Sequence, residues 1–571
     1  MLFSTLASYL HTLEVTNSRN TITEILGELF TKADEDEIGK LCYILQGRVA
    51  PLYEAIEFGV AEKFIIRAIA LAYSVPSEEV IRQFKMLGDI GKAAEVLHQG
   101  KGGHMDVSYV FDVLFDMATV SGTGSQEKKI GFLADLLRQS DALSSRFLVR
   151  IPIDKLRLGF SEMTILDSLS WMLIKDKTLR VQLEAVYNVR PDIGYIAETV
   201  KREGIKGLSH VRARIGSPVL SQLSQRLPTA DDMIKKMGKV AVEPKYDGVR
   251  VEMHFKRGSW VRTFSRNLEN TTAMFPELSD VGDELYANEV ILDGEAVGLD
   301  PETGKTVSFQ ETTTRKRKHN IELFSKSVPL RFFVFDILFK DGKDLLDMPL
   351  FERRKILEKT VKPGVLLALS PQIMTESPQE IRDYHDAQIK VGLEGAMVKK
   401  WDSPYEPGRR GFSWVKFKEE EGKTGKLTDT IDAVIMGYYV GEGKRTSFGI
   451  GALLVGVRRG EQFVTVTKIG TGVSDDLWKA LKKQLHVINT KTMPTNYADV
   501  HKGLIPDVWV NPEVVVELAG DDLTKSPTHG AGFAVRFPRL VRIRTDKGPR
   551  QITTVSEVGE MFANQKSQTS K

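Results

Sequence analysis

The chain's 571 residues set an expectation of about three to four domains, and its 42% hydrophobic and 27% charged composition is that of a globular protein. A single cysteine, Cys42, excludes an internal disulfide and a multi-cysteine zinc module, no apolar run nears the roughly 20 residues that span a bilayer, and MLFSTLASYLHTLEVT carries no basic leader. The formal net charge of only +3 means that any nucleic-acid surface must come from local clusters of Lys and Arg, and the expected compartment is a reducing cytoplasm.

About the first two hundred residues read as helices. In VAEKFIIRAIALAY, Ala61, Phe64, Ile65, Ala68, Ile69 and Ala72 recur at helical spacing and form one apolar stripe. SGTGS, residues 121–125, is glycine-rich, but no Gly-Lys-Ser/Thr follows, so it is not a P-loop. SEMTILDSLSWMLI, from Ser161, is again helical, and no fixed-period repeat supports a solenoid. GSPVLSQLSQRLPTADD, around Pro218 and Pro228, breaks the pattern and reads as an interdomain connection. The rhythm then becomes that of strands. VRVEMHF sets Val249, Val251, Met253 and Phe255 on one face and Arg250, Glu252 and His254 on the other. KRGS turns the chain into WVRTFSRN, giving a hairpin. VILDGEAVG reads as a buried strand ending at Asp293-Gly294-Glu295. TRKRKHN, residues 314–320, is a basic run read as a solvated loop able to meet phosphates. RFFVFDILF and WVKFK are further strands. After the charged stretch KEEEGKTGK, the segments IDAVIMGYYV, ALLVGV, FVTVTKIG and EVVVEL are short strands with glycine-rich turns, as in a small barrel.

The chemistry centres on EPKYDGVR, Glu243 to Arg250. Lys245 precedes a turn-forming Asp247-Gly248, and Arg250 heads the next strand. A lysine amine is normally protonated, and desolvation or nearby cations are what make it nucleophilic. Taken alone, a Lys-Tyr-Asp-Gly turn is more often a surface hairpin. Companions follow in order: Arg266 in FSRN, Glu295, Phe335 on a strand face, Glu394 and Lys399 in GLEGAMVK, and Arg410, Lys416 and Lys418 in RRGFSWVKFK. In WVKFK a period of two puts Lys416 and Lys418 on one face and turns Val415 and Phe417 to the core. Two adjacent ammonium groups repel, so that face is open to water or opposite an anion such as phosphate. A solvated edge strand is the plain alternative. With no HExxH or EF-hand pattern, any metal is expected to be oxygen-bound Mg²⁺.

The ordered set KYDGVR, SRN, LDGEA, FFVFDIL, LEGAMVK, WVKFK and a terminal RTDK resembles the covalent nucleotidyltransferase superfamily of DNA ligases and mRNA capping enzymes. Within it, the chain resembles an ATP-dependent DNA ligase of the archaeal and eukaryotic replicative type. The likeness covers essentially the whole chain, since KLRLGFSEMTILDSL and YNVRPDIGYIAETV are similar to that family's helical DNA-binding domain. It implies an all-α DNA-binding domain over 1–214, an α+β, ATP-grasp-like adenylation domain over 215–424 and an all-β OB-fold over 425–571.

The resemblance also implies roles. Lys245 takes the AMP, and Glu243 helps recognise adenine through its backbone or carboxylate. Arg250 and Arg266 meet the ribose and phosphate side of the nucleotide, or the 5′-phosphate of the nick. Glu295 holds the ribose and joins Glu394 in placing a divalent metal. Phe335 stacks on adenine. Arg410, Lys416 and Lys418 bind the α-phosphate and stabilise its transition state. Arg544, Asp546 and Lys547 in FPRLVRIRTDK orient the pyrophosphate leaving group, with Arg536 and Arg539 as nearby backbone contacts. ATP and Mg²⁺ are the implied cofactors and nicked duplex DNA the substrate. A sliding clamp fits the family, though no docking motif stands out. The expected enzyme is a monomer in a prokaryotic cytoplasm, associated with the nucleoid and serving replication, repair and recombination. A capping guanylyltransferase would share the lysine chemistry with GTP but not the long helical region. An NAD-dependent ligase would carry zinc cysteines, an RNA ligase would not need the N-terminal region, and an inactive DNA-binding scaffold would have lost motif residues that are present here.

Overall fold

Apolar residues three and four positions apart drive the first two hundred residues into helices, and each helix survives by burying that stripe against its neighbours. The computed structural model describes all residues except 101, 157, 301–305, 308–328, 363, 418–429, 442–448, 471, 472, 474, 491, 521 and 568–571. Its chain forms two compact units, Met1–Phe417 and Lys418–Lys571. In the helix Glu62–Tyr73 the buried residues are Ile65, Ala68, Ile69 and Tyr73, whereas Ala61 is the exposed N-cap rather than part of the stripe. The helices Ile90–Leu97, Val107–Thr119, Ala142–Arg150 and Ile193–Glu203 each start on an aspartate whose side chain accepts a backbone N–H in the first turn. The helix Glu162–Ile174 lies across Arg19–Lys32 at Gly27, where a Cβ would sit 2.4 Å from the Trp171 ring. The SGTGS segment does connect two helices, Val107–Thr119 and Ser125–Gln139. Among the described residues no helix is long and apolar enough to cross a membrane.

The second half of this unit holds two sheets. Strands are β1 (Leu223–Arg226), β2 (Val240–Pro244), β3 (Val249–Lys256), β4 (Trp260–Ser265), β5 (Glu289–Gly298), β6 (Leu330–Lys340), β7 (Lys343–Asp344), β8 (Leu367–Leu369), β9 (Ile373–Thr375), β10 (Ala396–Lys400) and β11 (Arg410–Phe417). One sheet has the order β1-β11-β10-β2-β9, and the other has β4-β3-β5-β6-β7, with β8 also on β6. The β3–β4 hairpin forms as its alternation suggests. Three local expectations are corrected. GSPVLSQLSQRL is more than a connection, because its last residues form β1, a parallel partner of β11. The Asp293-Gly294-Glu295 triplet sits in mid-strand, since β5 continues to Gly298. β11 is not a solvated edge, because β10 and β1 flank it.

The segment between the helices and the first sheet is fastened by buried polar groups of the second. Gly216 N–H donates to His254 Nδ1 at 3.0 Å and Val219 N–H to Glu252 Oε1 at 2.8 Å. Tyr53 of the helical region meets Phe264 of β4 edge-on, with centroids 6.3 Å apart. Behind β6, the helix Leu350–Thr360 supplies Arg353. Its guanidinium forks onto Asp336 at 2.8 and 2.9 Å, with both side chains almost fully buried.

The second unit is the β domain expected of its short strands, with the helices Asp475–Val487 and Val555–Ser567 added to it. Ile431–Tyr439, Ala452–Arg459 and Gln462–Ile469 run as an antiparallel meander, and Val515–Ala519 and then Arg539–Ile543 extend it on the side of the first strand. Helix Asp475–Val487 buries Trp478, Leu481 and Leu485 in this domain's core.

Replacing Arg353 with Ala should leave the Asp336 carboxylate buried and unpaired. We expect a loss of about 3–5 kcal/mol in stability, read as a lower urea midpoint of the full chain. An unchanged midpoint would show that the pair does not brace β6.

Candidate active site

The Lys-Tyr-Asp-Gly segment is not a hairpin. β2 and β3 belong to different sheets, and Lys245 to Gly248 is the crossing between them. The crossing is held at its first residue, through both backbone groups of Lys245. Lys245 N–H donates to the Gly395 carbonyl at 2.9 Å, and Glu394 N–H donates to the Lys245 carbonyl at 3.2 Å. Tyr246 stacks on Phe333 with centroids 4.4 Å apart. A Cβ at Gly248 would lie 2.6 Å from the Ala296 carbonyl oxygen and 2.8 Å from Glu295 Cγ, so only glycine lets the crossing run this close to β5.

That path sets the Lys245 ammonium against Glu394, to which Nζ donates in an ion pair, with about a fifth of each side chain exposed. Glu295 lies nearby on β5. Burial pushes its carboxyl up to about 7, and the Arg250 and Lys245 cations pull it down while Asp293 and Asp247 push it further up. Arg250 stands opposite Glu295 in the β3–β5 ladder, but its guanidinium is turned to Asp293 at 3.0 and 2.6 Å. Arg266 is exposed; partial desolvation and the Arg250 and Arg410 cations hold it below the usual guanidinium value, while Glu295 acts the other way. Arg410 is exposed at the start of β11, and Lys416 is half-buried between Val415 and Phe417, which are buried as the period of two requires. Lys418 and the basic run 314–320 lie outside the described residues.

Beside the crossing is an aromatic cluster. Phe335 occupies a bulge of β6, where Asp293 pairs with Asp336 and Gly294 with Val334, leaving Phe335 without a partner across the ladder. Its ring meets Trp414 edge-on at 5.8 Å, and the Lys399 ammonium lies 4.3 Å from both ring centroids. Lys399 is paired with Glu243 Oε2 at 2.7 Å, both almost fully buried. Burial raises the Glu243 carboxyl and Lys399 works against it, while the buried Glu243 Oε1 has no hydrogen-bond partner.

The residues of RTDK are engaged inside their own domain. Arg544 reaches Asp432 at 2.9 Å and Asp546 at 2.8 Å, and Lys547 reaches Asp432 at 2.6 Å. The Arg544 guanidinium holds Asp546 well below the usual carboxylate range. Arg536 and Arg539 end and begin the neighbouring strands Phe533–Arg536 and Arg539–Ile543.

Sequence reasoning gave no role to Asp293, Tyr405, Trp414 or Lys399. The available signal was periodicity. Asp293 shares a strand face with Glu295, and Trp414 shares one with Lys416. Tyr405, in the connection between β10 and β11, had no periodic signal.

A lysine at the seam of two largely antiparallel sheets, with helices before and a β domain after, fits the nucleotidyltransferase resemblance of the sequence motifs. Residues 221–418 match the family described as "ATP dependent DNA ligase domain", residues 2–170 "DNA ligase N terminus" and residues 446–547 "ATP dependent DNA ligase C terminal region". The probable DNA ligase of Dictyoglomus thermophilum is 43% identical over 577 residues, covering 99% of this chain and 98% of its own. DNA ligase 2 of Thermofilum pendens is 37% identical over 593 residues, again covering 99% and 98%. The solved structure Pmar-Lig_PreS3 shares the fold, at 19% identity and a TM-score of 0.53, over 94% of this chain and 99% of that one. The chain belongs to the ATP-dependent DNA ligases, which seal nicks in DNA.

The Glu295 carboxyl carries a pH signature. Its folded value near 7 lies above the ordinary 4.5, so across that window the folded chain holds a proton the unfolded chain has released. Its contribution to stability is therefore present at the acid end and lost as pH rises towards 7. Glu295→Gln stays neutral throughout. In metal-free buffer, the thermal midpoint of E295Q minus that of the wild type should grow from about pH 5 to about pH 8. A constant difference would show that this carboxyl does not titrate there.

Proposed function

We propose that this ligase works through a lysyl-AMP on Lys245 and a DNA-adenylate, in three in-line phosphoryl transfers. The observation that carries the reading is the placement of Lys245. Its amine is fixed at the sheet seam on Glu394, beside Glu295 and near Arg250, instead of pointing into open solvent.

Phosphoryl transfer asks for positioning and charge neutralisation more than for strong acids, which suits a site of lysines, arginines and a few carboxylates. In the first transfer, Lys245 Nζ bonds to the α-phosphorus of ATP as the bond to pyrophosphate breaks. The amine must be neutral to attack, and Glu394 Oε2, already its hydrogen-bond partner, is the base within reach. In the second, an oxygen of the nick's 5′-phosphate takes the AMP from the lysine. In the third, the 3′-hydroxyl bonds to that phosphorus and AMP departs.

Phe335 supplies an apolar face for adenine, and the unpartnered Glu243 Oε1 is an acceptor for the base's exocyclic amine. Arg266, Arg410, Lys416 and Lys418 are assigned to the phosphates, and Glu295 to the ribose. Arg250 is assigned to the same nucleotide, though with most of its guanidinium held by the protein. Arg544, Asp546 and Lys547 are assigned to the pyrophosphate, for which they would exchange partners they now hold within their own domain.

Among the described residues no cluster of three His, Cys, Asp or Glu side chains could hold a metal by itself. Glu295 and Glu394 nevertheless fit Mg²⁺, which is commonly bound by one or two carboxylates together with substrate phosphates, and the raised Glu295 carboxyl is one a cation would stabilise. When bound there, Mg²⁺ would offset charge on the phosphate oxygens. The enzyme is read as a cytoplasmic monomer acting in replication, repair and recombination, with a sliding clamp as a fitting partner.

Lys245→Ala should abolish transfer of label from α-labelled ATP to the protein while leaving affinity for nicked DNA within about twofold. Labelling at full strength would assign the nucleophile elsewhere. Phe335→Ala should weaken ATP binding by about tenfold or more and change joining of a pre-adenylated nick much less. Equal losses in both assays would remove the stacking role.

A further inference from the structure

A guanidinium has five N–H donors, and the protein itself uses four of Arg250's. Nε donates to Asp293 Oδ1 at 3.0 Å, and Nη2 donates to Asp293 Oδ2 at 2.6 Å and to the Tyr405 hydroxyl at 3.3 Å. Nη1 donates to the Gln222 carbonyl at 2.7 Å. One Nη1–H is left. Arg250 is therefore no free fork for a phosphate. It is a cation already clamped, with a single donor to offer.

The clamp closes at Tyr405. Its hydroxyl donates to Asp293 Oδ2 at 2.7 Å and accepts from the Gln222 amide at 3.0 Å and from Arg250. One donor and two acceptor positions are the full capacity of a phenol, and all are used. Burial, with the nearby Asp293 charge, holds the phenol well above its ordinary value, so it stays a donor. The ring cannot swing away. Trp414 meets it edge-on at 5.7 Å, and its own backbone N–H donates to the Leu346 carbonyl at 2.9 Å. Gln222 is itself tied down, accepting from Glu406 N–H through Oε1 at 3.0 Å.

The parts come from three places. Arg250 and Asp293 sit on β3 and β5 of one sheet, Tyr405 on the β10–β11 connection of the other, and Gln222 just before β1. The bonds thus tie the two sheets together at the seam that Lys245 crosses. We propose that Tyr405 is a positioning residue for nucleotidyl transfer, whose hydroxyl fixes Asp293 so that the Arg250 guanidinium is held with one Nη1–H left for the nucleotide. This rests on the reading that Arg250 serves the nucleotide, and the test separates the two.

The measurement is the single-turnover rate of AMP transfer from labelled ATP to the full chain, with the KM for ATP, in four proteins: wild type, Y405F, R250K and the double variant. Y405F removes the hydroxyl and keeps the ring. It should slow transfer about tenfold at saturating ATP and move the KM by less than about twofold, at a temperature where its thermal midpoint shows it fully folded. R250K alone should also slow transfer, and Y405F added to R250K should cost less than about twofold more, because both changes cut one string. An unaltered rate in Y405F, or the same tenfold loss in both backgrounds, overturns the role of Tyr405. A normal rate in R250K instead overturns the assignment of Arg250. Should Y405F not be folded at that temperature, the four rates are compared at a lower one where its thermal midpoint shows it folded, with the same outcomes.

Discussion

An amine proposed as a nucleophile has to be kept close to carboxylates and cations without being buried among hydrocarbons, and the four-residue crossing from β2 to β3 meets that constraint for Lys245. Because β2 and β3 lie in different sheets, Lys245 stands at a gap between two hydrogen-bonded layers. Its backbone is fixed by Gly395 and Glu394, just before β10, and its side chain meets the Glu394 carboxylate. Gly248 then lets the chain pass against β5 and brings Glu295 within reach of the same space. A larger residue at 248 would drive the crossing away from β5, and with it the lysine from Glu295.

Behind the seam stands a layer of buried ion pairs: Glu243 with Lys399, Asp293 with Arg250, and Asp336 with Arg353. Such pairs add little net stability over well-packed apolar residues, but losing one partner is strongly destabilising. Here each pair fixes a strand residue next to the reaction site. Arg353 braces Asp336, the neighbour of Phe335. Lys399 lies against both Phe335 and Trp414 and ties Glu243, two residues before Lys245, to β10. The ring cluster is therefore shaped in part by charges, those of Lys399, Asp336 and Arg353, to which no contact with the nucleotide is assigned.

Much of this was legible in the sequence because the signals are local. Strand alternation put Val249, Val251, Met253 and Phe255 on one face, of which all but the half-buried Val249 are core, though Glu252 and His254 opposite are buried too, and the ordered motifs named Lys245, Glu295 and Glu394, which the fold brings to one seam. What escaped was non-local. Nothing in KYDG says that its flanking strands join different sheets, so an isolated reading favours a hairpin. Phe335 faces the site through a bulge in a ladder formed with residues some forty positions earlier. Arg250 reads as a contact to the ribose and phosphate side of the nucleotide, and nothing in the sequence shows that Asp293, Tyr405 and Gln222 already hold it. GSPVLSQLSQRL looks like a connection because a four-residue edge strand such as β1 leaves almost no periodic trace.

The central claim is that the adenylyl group rests on the lysine at the sheet seam between two of the transfers. Intact-mass measurement with peptide mapping, after incubation with ATP, should show one added adenylyl group on the peptide carrying Lys245. Addition of nicked duplex should remove it in step with sealing. An adenylyl group mapped to a different residue, or one that persists while nicks are closed, would contradict the account.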